Sequence, residues 1–177
     1  MILLRGYVAA FWILSLTGTL VSCTPSQKEG VFLASFTENF VDVAIYLQQD
    51  SGGSYSISAT FTPPDGYHLY SKDIPVTGVE GLGRPTLLEL TYDSLLNATG
   101  TLIESVKAEV PEFGPKELLV YPVGVVTLRL PVKLPHGNNV LEEEVQITYM
   151  ACSASQCKPP VVAKHIPVQI PAAADRD

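Results

Sequence analysis

Apolar and polar side chains alternate along much of this sequence, and the two-residue period constrains the fold more than any other feature. Thr127 and Arg129 separate apolar neighbours in one stretch, Gln146 and Thr148 do so in another, and Lys164 interrupts a third. The alternating apolar positions are Tyr55, Ile57, Ala59 and Phe61; Val126, Leu128, Leu130 and Val132; Val145, Ile147 and Tyr149; and Val162, Ile166, Val168 and Ile170. Strands with one buried face have this pattern. We therefore predict antiparallel strands packed on a core.

Turn-forming segments separate these strands. The stretches "QQDSGGS", "TPPDG" and "LPHGNN" contain the Gly, Pro, Asn and Asp residues that turns require. The segment "PTLLELTYDSLLN" fits a helix or a strand, and we favour the strand. Short strands at this spacing are typical of a β-sandwich. The chain has 177 residues, 46% of them hydrophobic, which is enough for one domain with a core, and its net charge of −7 argues against a nucleic-acid partner.

The N-terminus has the features of a bacterial lipoprotein signal. An apolar run follows Arg5; it is too short to span a bilayer comfortably and ends in small residues. The segment "LVSC" looks like a lipobox, in which Cys23 is acylated and becomes the first mature residue; the alternative is an ordinary signal peptide with an unmodified Cys23. We expect a signal peptide at 1–22, a tether at 23–30, a domain at 31–171 and a flexible tail at 172–177.

Lipidation of Cys23, one of three cysteines, would leave a single pair, Cys152 and Cys157. A disulfide holds its Cα atoms about 4.4–6.8 Å apart, so the intervening "SASQ" must turn back, with Cys152 ending one strand and Cys157 beginning the next. The spacing alone leaves three roles open. The spacing favours a structural disulfide. For a redox pair, the adjacent Lys158 can favour the Cys157 thiolate. A metal clip would need further ligands.

The three histidines do not suggest a metal site. His68, His136 and His165 are scattered, and nothing in the sequence brings them together. We expect His136 to be a solvated turn residue and His165 a strand residue that faces water. The sequence predicts no metal and no cofactor.

Four stretches resemble, in order, the N-terminal periplasmic domain of the thiol:disulfide interchange protein DsbD. The stretch "ITYMACSASQCKPPV" is similar to its active-site segment, in which a strand ends in an aromatic residue, two cysteines flank a short turn and prolines follow. "DGYHLYSKDIP" resembles its Gly-aromatic-x-x-Tyr strand, "GRPT" a Pro-containing turn, and "PEFGPKELLVYPVGVVTLRLPVKL" its cap loop and the strand behind it. Together they cover most of residues 54–170. DsbD usually continues into a transmembrane and a thioredoxin-like domain, whereas this sequence ends sooner and has a lipobox.

The resemblance implies an immunoglobulin-like antiparallel β-sandwich with a redox-active cysteine pair at one end. It implies that Cys157, beside Lys158, attacks the partner and that Cys152 resolves the mixed disulfide. We expect the same roles from the residues, since Cys152 ends a strand and is more easily tucked against the core.

Further residues around the pair also come from the resemblance. Phe113, beside Glu112, matches the cap-loop aromatic that covers the disulfide and limits nonspecific exchange; the alternative is a loop residue that packs on the sandwich. Tyr70 matches a family tyrosine near the cysteines, and His68 stands where the family often has another aromatic residue. The alternative for both is an ordinary strand residue.

Two functions follow. The first is a periplasmic thiol-disulfide exchange module, a component of a protein-disulfide reductase, that receives electrons from a membrane-embedded thiol reductase. It would pass them to periplasmic thioredoxin-like or disulfide isomerase proteins. The second is a lipid-anchored immunoglobulin-like binding or assembly domain with a purely structural disulfide. We expect a lipid anchor on the periplasmic face of the envelope, with the outer membrane favoured because Thr24 rather than Asp follows Cys23. A structural disulfide should have a reduction potential below about −300 mV.

Overall fold

The computed structural model describes residues 30–50, 52–137 and 139–172, and these residues form strands joined by turns and loops. The strands are β1 (Val31–Glu38), β2 (Val41–Gln49), β3 (Tyr55–Thr62), β4 (His68–Leu69), β5 (Leu87–Leu90), β6 (Asn97–Ala98), β7 (Ile103–Glu104), β8 (Val126–Lys133), β9 (Leu141–Tyr149), β10 (Ala151–Cys152) and β11 (Val161–Ile170). Within these ranges no helix forms, and so none there is long and apolar enough to cross a membrane.

Two antiparallel sheets pack face to face, and β4 and β10 form a separate two-stranded ladder. The larger sheet has the order β1-β2-β3-β8, with β6 and β7 both paired to β8, and the smaller has the order β11-β9-β5. The ring of Phe61 in β3 meets that of Tyr149 in β9 edge to face, with centroids 5.7 Å apart. The Tyr149 hydroxyl also donates to the Glu38 carbonyl of β1 over 2.8 Å. The predicted all-β, immunoglobulin-like antiparallel sandwich is confirmed.

The alternating apolar residues fill the space between the sheets. The fully or almost fully buried ones include Ile57, Ala59, Phe61, Val126, Leu128, Leu130, Val132, Val145, Ile147 and Tyr149. Burial of a Val, Leu, Ile or Phe side chain contributes about 1.5–3 kcal/mol each, so this core supplies the main driving force for the fold. The segment "PTLLELTYDSLLN", for which we favoured a strand over a helix, contains strand β5, in which Leu88 is buried.

One side-chain assignment was wrong, because β11 contains a bulge. Val162 was placed on the apolar face, yet it is 60% exposed and Val161 is buried. The register with β9 shifts between Val161 and Lys164, and Ala163 has a φ of 45°. A bulge adds one residue to a strand, so the alternation changes phase at that point.

The cysteines also lie outside the two long strands that were expected to hold them. Strand β9 ends at Tyr149, and Cys152 belongs to the separate strand β10, which pairs with β4. Strand β11 begins only at Val161, so Cys157 precedes it. The pair therefore lies on a short ladder at the end of the sandwich at which β9 finishes.

Candidate functional site

Cys152 and Cys157 form a disulfide that closes a tight hairpin. Their Cα atoms are 4.0 Å apart. The Ser153 N–H donates to the Gln156 carbonyl over 2.8 Å, and the Lys158 N–H donates to the Ala151 carbonyl over 2.8 Å. The predicted turn between the cysteines is therefore present, with its own backbone hydrogen bonds.

The β4–β10 ladder fixes the position of Cys152. Cys152 lies opposite His68, and Ala151 lies opposite Leu69. Leu69 is held from its other side, because the Tyr121 N–H donates to its carbonyl over 2.8 Å. The site is thus attached to the sandwich through backbone bonds on both sides of β4.

The two sulfur-bearing residues differ in exposure. Cys152 is 2% exposed and packs in a small cluster with Tyr70, Ile74 and Leu118, apart from the main core. Cys157 is exposed. A thiol from a partner therefore has access to Cys157 and not to Cys152.

Tyr70 and His68 lie on the buried side of the pair. The Tyr70 hydroxyl donates to Cys152 Sγ over 3.0 Å. The His68 ring meets the Tyr70 ring edge to face, with centroids 5.4 Å apart. Burial raises the pKa of Tyr70 and lowers the pKa of His68, because desolvation disfavours the charged form of each. At neutral pH the cluster therefore holds a protonated phenol and a neutral imidazole beside Cys152.

Lys158 lies over two aromatic rings on the exposed side. Its ammonium group is 4.4 Å from the centroid of Phe40 and 5.4 Å from that of Tyr67. The Tyr67 hydroxyl accepts a hydrogen bond of 2.7 Å from the Gln156 side chain, which belongs to the turn between the cysteines. That Lys158 favours the Cys157 thiolate stays a prediction.

Phe40 and Leu118 are residues of this region that the sequence analysis missed. Phe40 is 69% exposed and has a φ of 67° in the two-residue turn between β1 and β2. The sequence signal for it was an Asn-Phe pair between two alternating stretches. Leu118 is buried against Cys152, but nothing in its sequence context distinguishes it from other loop leucines.

The cap-loop residues are exposed. Phe113 is 88% exposed, and Glu112 beside it is exposed as well. Leu118, further along the same segment, packs in the cluster with Cys152. In this conformation Leu118 belongs to the buried cluster around Cys152 and the Phe113 ring faces solvent, so shielding by Phe113 stays a prediction that requires the ring to turn inward.

The remaining candidates lie elsewhere. Cys23 lies outside the described residues. His165 accepts or donates hydrogen bonds with Glu144 and Gln146 on an exposed face, and His136 is exposed in its turn, as expected. In residues 30–50, 52–137 and 139–172 no three His, Cys, Asp or Glu side chains form a group that could hold a metal ion.

Comparison with known proteins gives one solved structure that is similar. No protein-family model matches the sequence, and no curated protein matches it. The N-terminal periplasmic domain of ScsB from Proteus mirabilis is similar to this chain at 14% sequence identity and a TM-score of 0.47. The match covers 83% of this chain and 55% of that one, so the chain spans little more than half of the length of that structure.

Proposed function

We propose that this chain is a thiol-disulfide exchange domain that transfers electrons through Cys152 and Cys157. The observation that carries the proposal is the unequal burial of the two sulfur-bearing residues: Cys157 is exposed and Cys152 is 2% exposed. A disulfide that exchanges with other proteins needs one accessible sulfur, and control of the exchange requires that the other be protected. The resemblance of the "ITYMACSASQCKPPV" segment to the DsbD active-site segment supports the same function.

Electrons enter by attack on the exposed sulfur. A donor thiolate attacks Cys157 Sγ, a mixed disulfide forms, and the Cys152–Cys157 bond breaks with its electron pair on Cys152 Sγ. A second donor thiolate then attacks the donor sulfur of the mixed disulfide and releases Cys157 as a thiolate. The donor leaves as a disulfide, and the domain holds two electrons as a dithiol after proton uptake from water.

Electrons leave when the domain dithiol acts as the attacking group on an acceptor protein. The Cys157 thiolate attacks a disulfide of the acceptor and forms a mixed disulfide, releasing one acceptor thiolate. Cys152 then attacks Cys157 Sγ, which restores the domain disulfide and releases the second acceptor thiolate. The acceptor gains the two electrons that the domain loses.

The location and partners belong to the same proposal. We place the domain on the periplasmic face of a bacterial envelope, anchored by a lipid on Cys23. A membrane-embedded thiol reductase is the donor, and periplasmic thioredoxin-like or disulfide isomerase proteins are the acceptors. Mass spectrometry of the mature N-terminus should show a diacylglyceryl-type modification at Cys23. A mature N-terminus at another residue, or an unmodified Cys23, would remove the anchor.

Two observations also fit the second function, a binding domain with a structural disulfide. The turn between the cysteines is closed by backbone hydrogen bonds, and Cys152 is packed as tightly as a core residue. Both features are also expected of a pure staple.

Trapping of mixed disulfides separates the two functions. Cys152→Ala leaves Cys157 without a resolving thiol, so it should accumulate mixed disulfides with envelope proteins on non-reducing gels. Cys157→Ala leaves only the buried Cys152 and should accumulate few, which makes it the matched control. More trapping by Cys157→Ala would reverse the two roles. No trapping by either variant, together with a reduction potential below about −300 mV, would support the structural disulfide instead.

A further inference from the structure

The Tyr70 hydroxyl contacts the sulfur that leaves when the disulfide opens. It donates to Cys152 Sγ over 3.0 Å, and both residues are buried, at 5% and 2% exposure. A disulfide sulfur is a weak acceptor, whereas a thiolate carries a full negative charge, and a hydrogen bond to an ionised group is about twice as strong as a neutral one. The contact therefore gains strength as the S–S bond breaks, and a contact of this kind accelerates a reaction.

The surrounding fold holds Tyr70 in place on its backbone and on its ring. The N–H and the hydroxyl of Thr86, which is fully buried, both donate to the Tyr70 carbonyl, over 3.2 Å and 2.7 Å. Gly83 lies so close that a Cβ there would be 3.1 Å from the Tyr70 ring, and the His68 ring contacts it as well. A donor that is already aimed at the developing charge requires no reorganisation during the reaction.

We propose that Tyr70 is a catalytic residue of the exchange reaction, as the hydrogen-bond donor that stabilises the Cys152 thiolate; this rests on the proposed function. When a partner thiolate attacks Cys157 Sγ, a partner–Cys157 bond forms, the Cys152–Cys157 bond breaks, and the electron pair stays on Cys152 Sγ. Tyr70 donates its hydrogen bond to this anion and keeps its proton. In the opposite direction the same donor holds Cys152 as a thiolate, ready to attack the mixed disulfide.

The charges around the phenol agree with this role. Burial raises the pKa of Tyr70, so the phenol remains a donor at the pH of exchange. The His68 ring contacts the Tyr70 ring, and burial lowers the pKa of that imidazole, so it is uncharged at neutral pH. Ile74 and Leu118, the other buried members of the cluster, are apolar. The Tyr70 phenol, which already bonds to Cys152 Sγ, therefore keeps its proton at neutral pH and can donate it in a hydrogen bond to the thiolate.

The direct test is the pKa of Cys152 as a lone thiol. In the full chain with Cys157→Ser, cysteine labelled with ¹³C at Cβ reports the titration by NMR, and the signal that is lost in Cys152→Ala identifies the residue. Tyr70→Phe removes the hydroxyl and keeps the ring, so the Cys152 pKa should rise by about one unit, the size expected for one lost hydrogen bond to an ion. Tyr149→Phe removes a buried hydroxyl that is bonded to a carbonyl instead, and should leave the Cys152 pKa unchanged.

A second variant keeps the test valid if Tyr70→Phe does not fold. Insertion of 3-fluorotyrosine at position 70 makes the phenol a stronger donor and should lower the Cys152 pKa. In the protein with both cysteines, Tyr70→Phe should slow reduction by dithiothreitol about threefold, because exchange rates depend on the acidity of the leaving thiol with a sensitivity of about one half.

The catalytic role of Tyr70 and the exchange function of the domain can be refuted by different results. An unchanged Cys152 pKa in the folded variants would overturn the role of Tyr70, whether or not the domain exchanges electrons in cells. The pKa measurement needs no partner protein, whereas the trapping experiment needs one. If trapping and the reduction potential both support a structural disulfide while the Cys152 pKa is raised in Tyr70→Phe, the exchange function and the catalytic role are overturned and the hydrogen bond itself stands.

Discussion

Reduction of the disulfide should weaken this domain without unfolding it, because the bridge closes a short loop outside the main core. Cys152 belongs to the small cluster with Tyr70, Ile74 and Leu118, whereas the sheets pack through a separate and much larger cluster. The bridged residues are 5 apart in sequence. Closing so short a loop restricts the unfolded chain modestly and stabilises the fold by about 2 kcal/mol.

The size of the domain converts this free energy into a change of Tm. The strands extend from Val31 to Ile170. For about 140 residues the entropy of unfolding is roughly 0.3 kcal/mol/K, so a loss of about 2 kcal/mol lowers Tm by about 7 °C. The remaining stability, carried by the sheets, should keep the reduced form folded.

Thermal unfolding followed by circular dichroism measures this difference. The oxidised protein is compared with protein held reduced by a phosphine, and the double variant Cys152→Ala/Cys157→Ala should not respond to the phosphine. A fall in Tm of more than about 20 °C, or loss of the β-sheet signal at room temperature, would refute the reasoning. An electron carrier must stay folded in both oxidation states, so that result would identify the disulfide as a staple on which the fold depends.

Three further predictions follow from exposure and pKa. Phe113→Ala should speed the reaction with glutathione, because the cap-loop role requires this ring to turn inward over the pair; an unchanged rate would show that the ring, 88% exposed in this conformation, does not shield it. Burial lowers the pKa of His68. The stability that neutral His68 contributes is therefore present above a pH of about 6.5 and is lost as the pH falls through the lowered pKa. Tm should drop on acidification, and it should drop less in His68→Gln. Burial raises the pKa of Tyr149, so Tm should fall above a pH of about 10, and less in Tyr149→Phe; equal slopes would contradict either prediction.

The fold could be predicted because one face of β3, β8 and β9, whose sequences alternate clearly, is buried. Ile57 and Phe61 are fully buried, as the two-residue period indicated. The period cannot predict an inserted residue, which is why Val162 was placed on the wrong face. A bulge depends on the pairing with the neighbouring strand, here between β11 and β9, and pairing is not visible in one strand alone.

The site could be predicted only in part, because its chemistry depends on contacts between distant segments. The cysteine spacing required a turn, and the strand before it suggested that Cys152 is the buried partner. The hydrogen bond from the Tyr70 hydroxyl to Cys152 joins residues that are 82 apart in sequence. The resemblance placed Tyr70 near the cysteine pair but did not imply this contact. The packing of Leu118 against Cys152 depends on the path of a loop, which has no periodic signal.

The turn between β1 and β2, beside the disulfide, departs from local backbone preferences. Gly53, between β2 and β3, and Gly137, between β8 and β9, have positive φ angles, and both residues line one open groove. Between β1 and β2 the chain instead has Phe40 at a φ of 67°, a conformation that bulky residues rarely adopt. Gly at this position would close the same two-residue turn without strain, so the turn itself does not require Phe.

What Phe provides is an exposed ring under the ammonium group of Lys158, the residue next to Cys157. Strained backbone of this kind clusters at functional sites and is held in place by the structure around it. Under the proposed exchange function, the Phe40 ring would belong to the surface that a partner protein meets at Cys157.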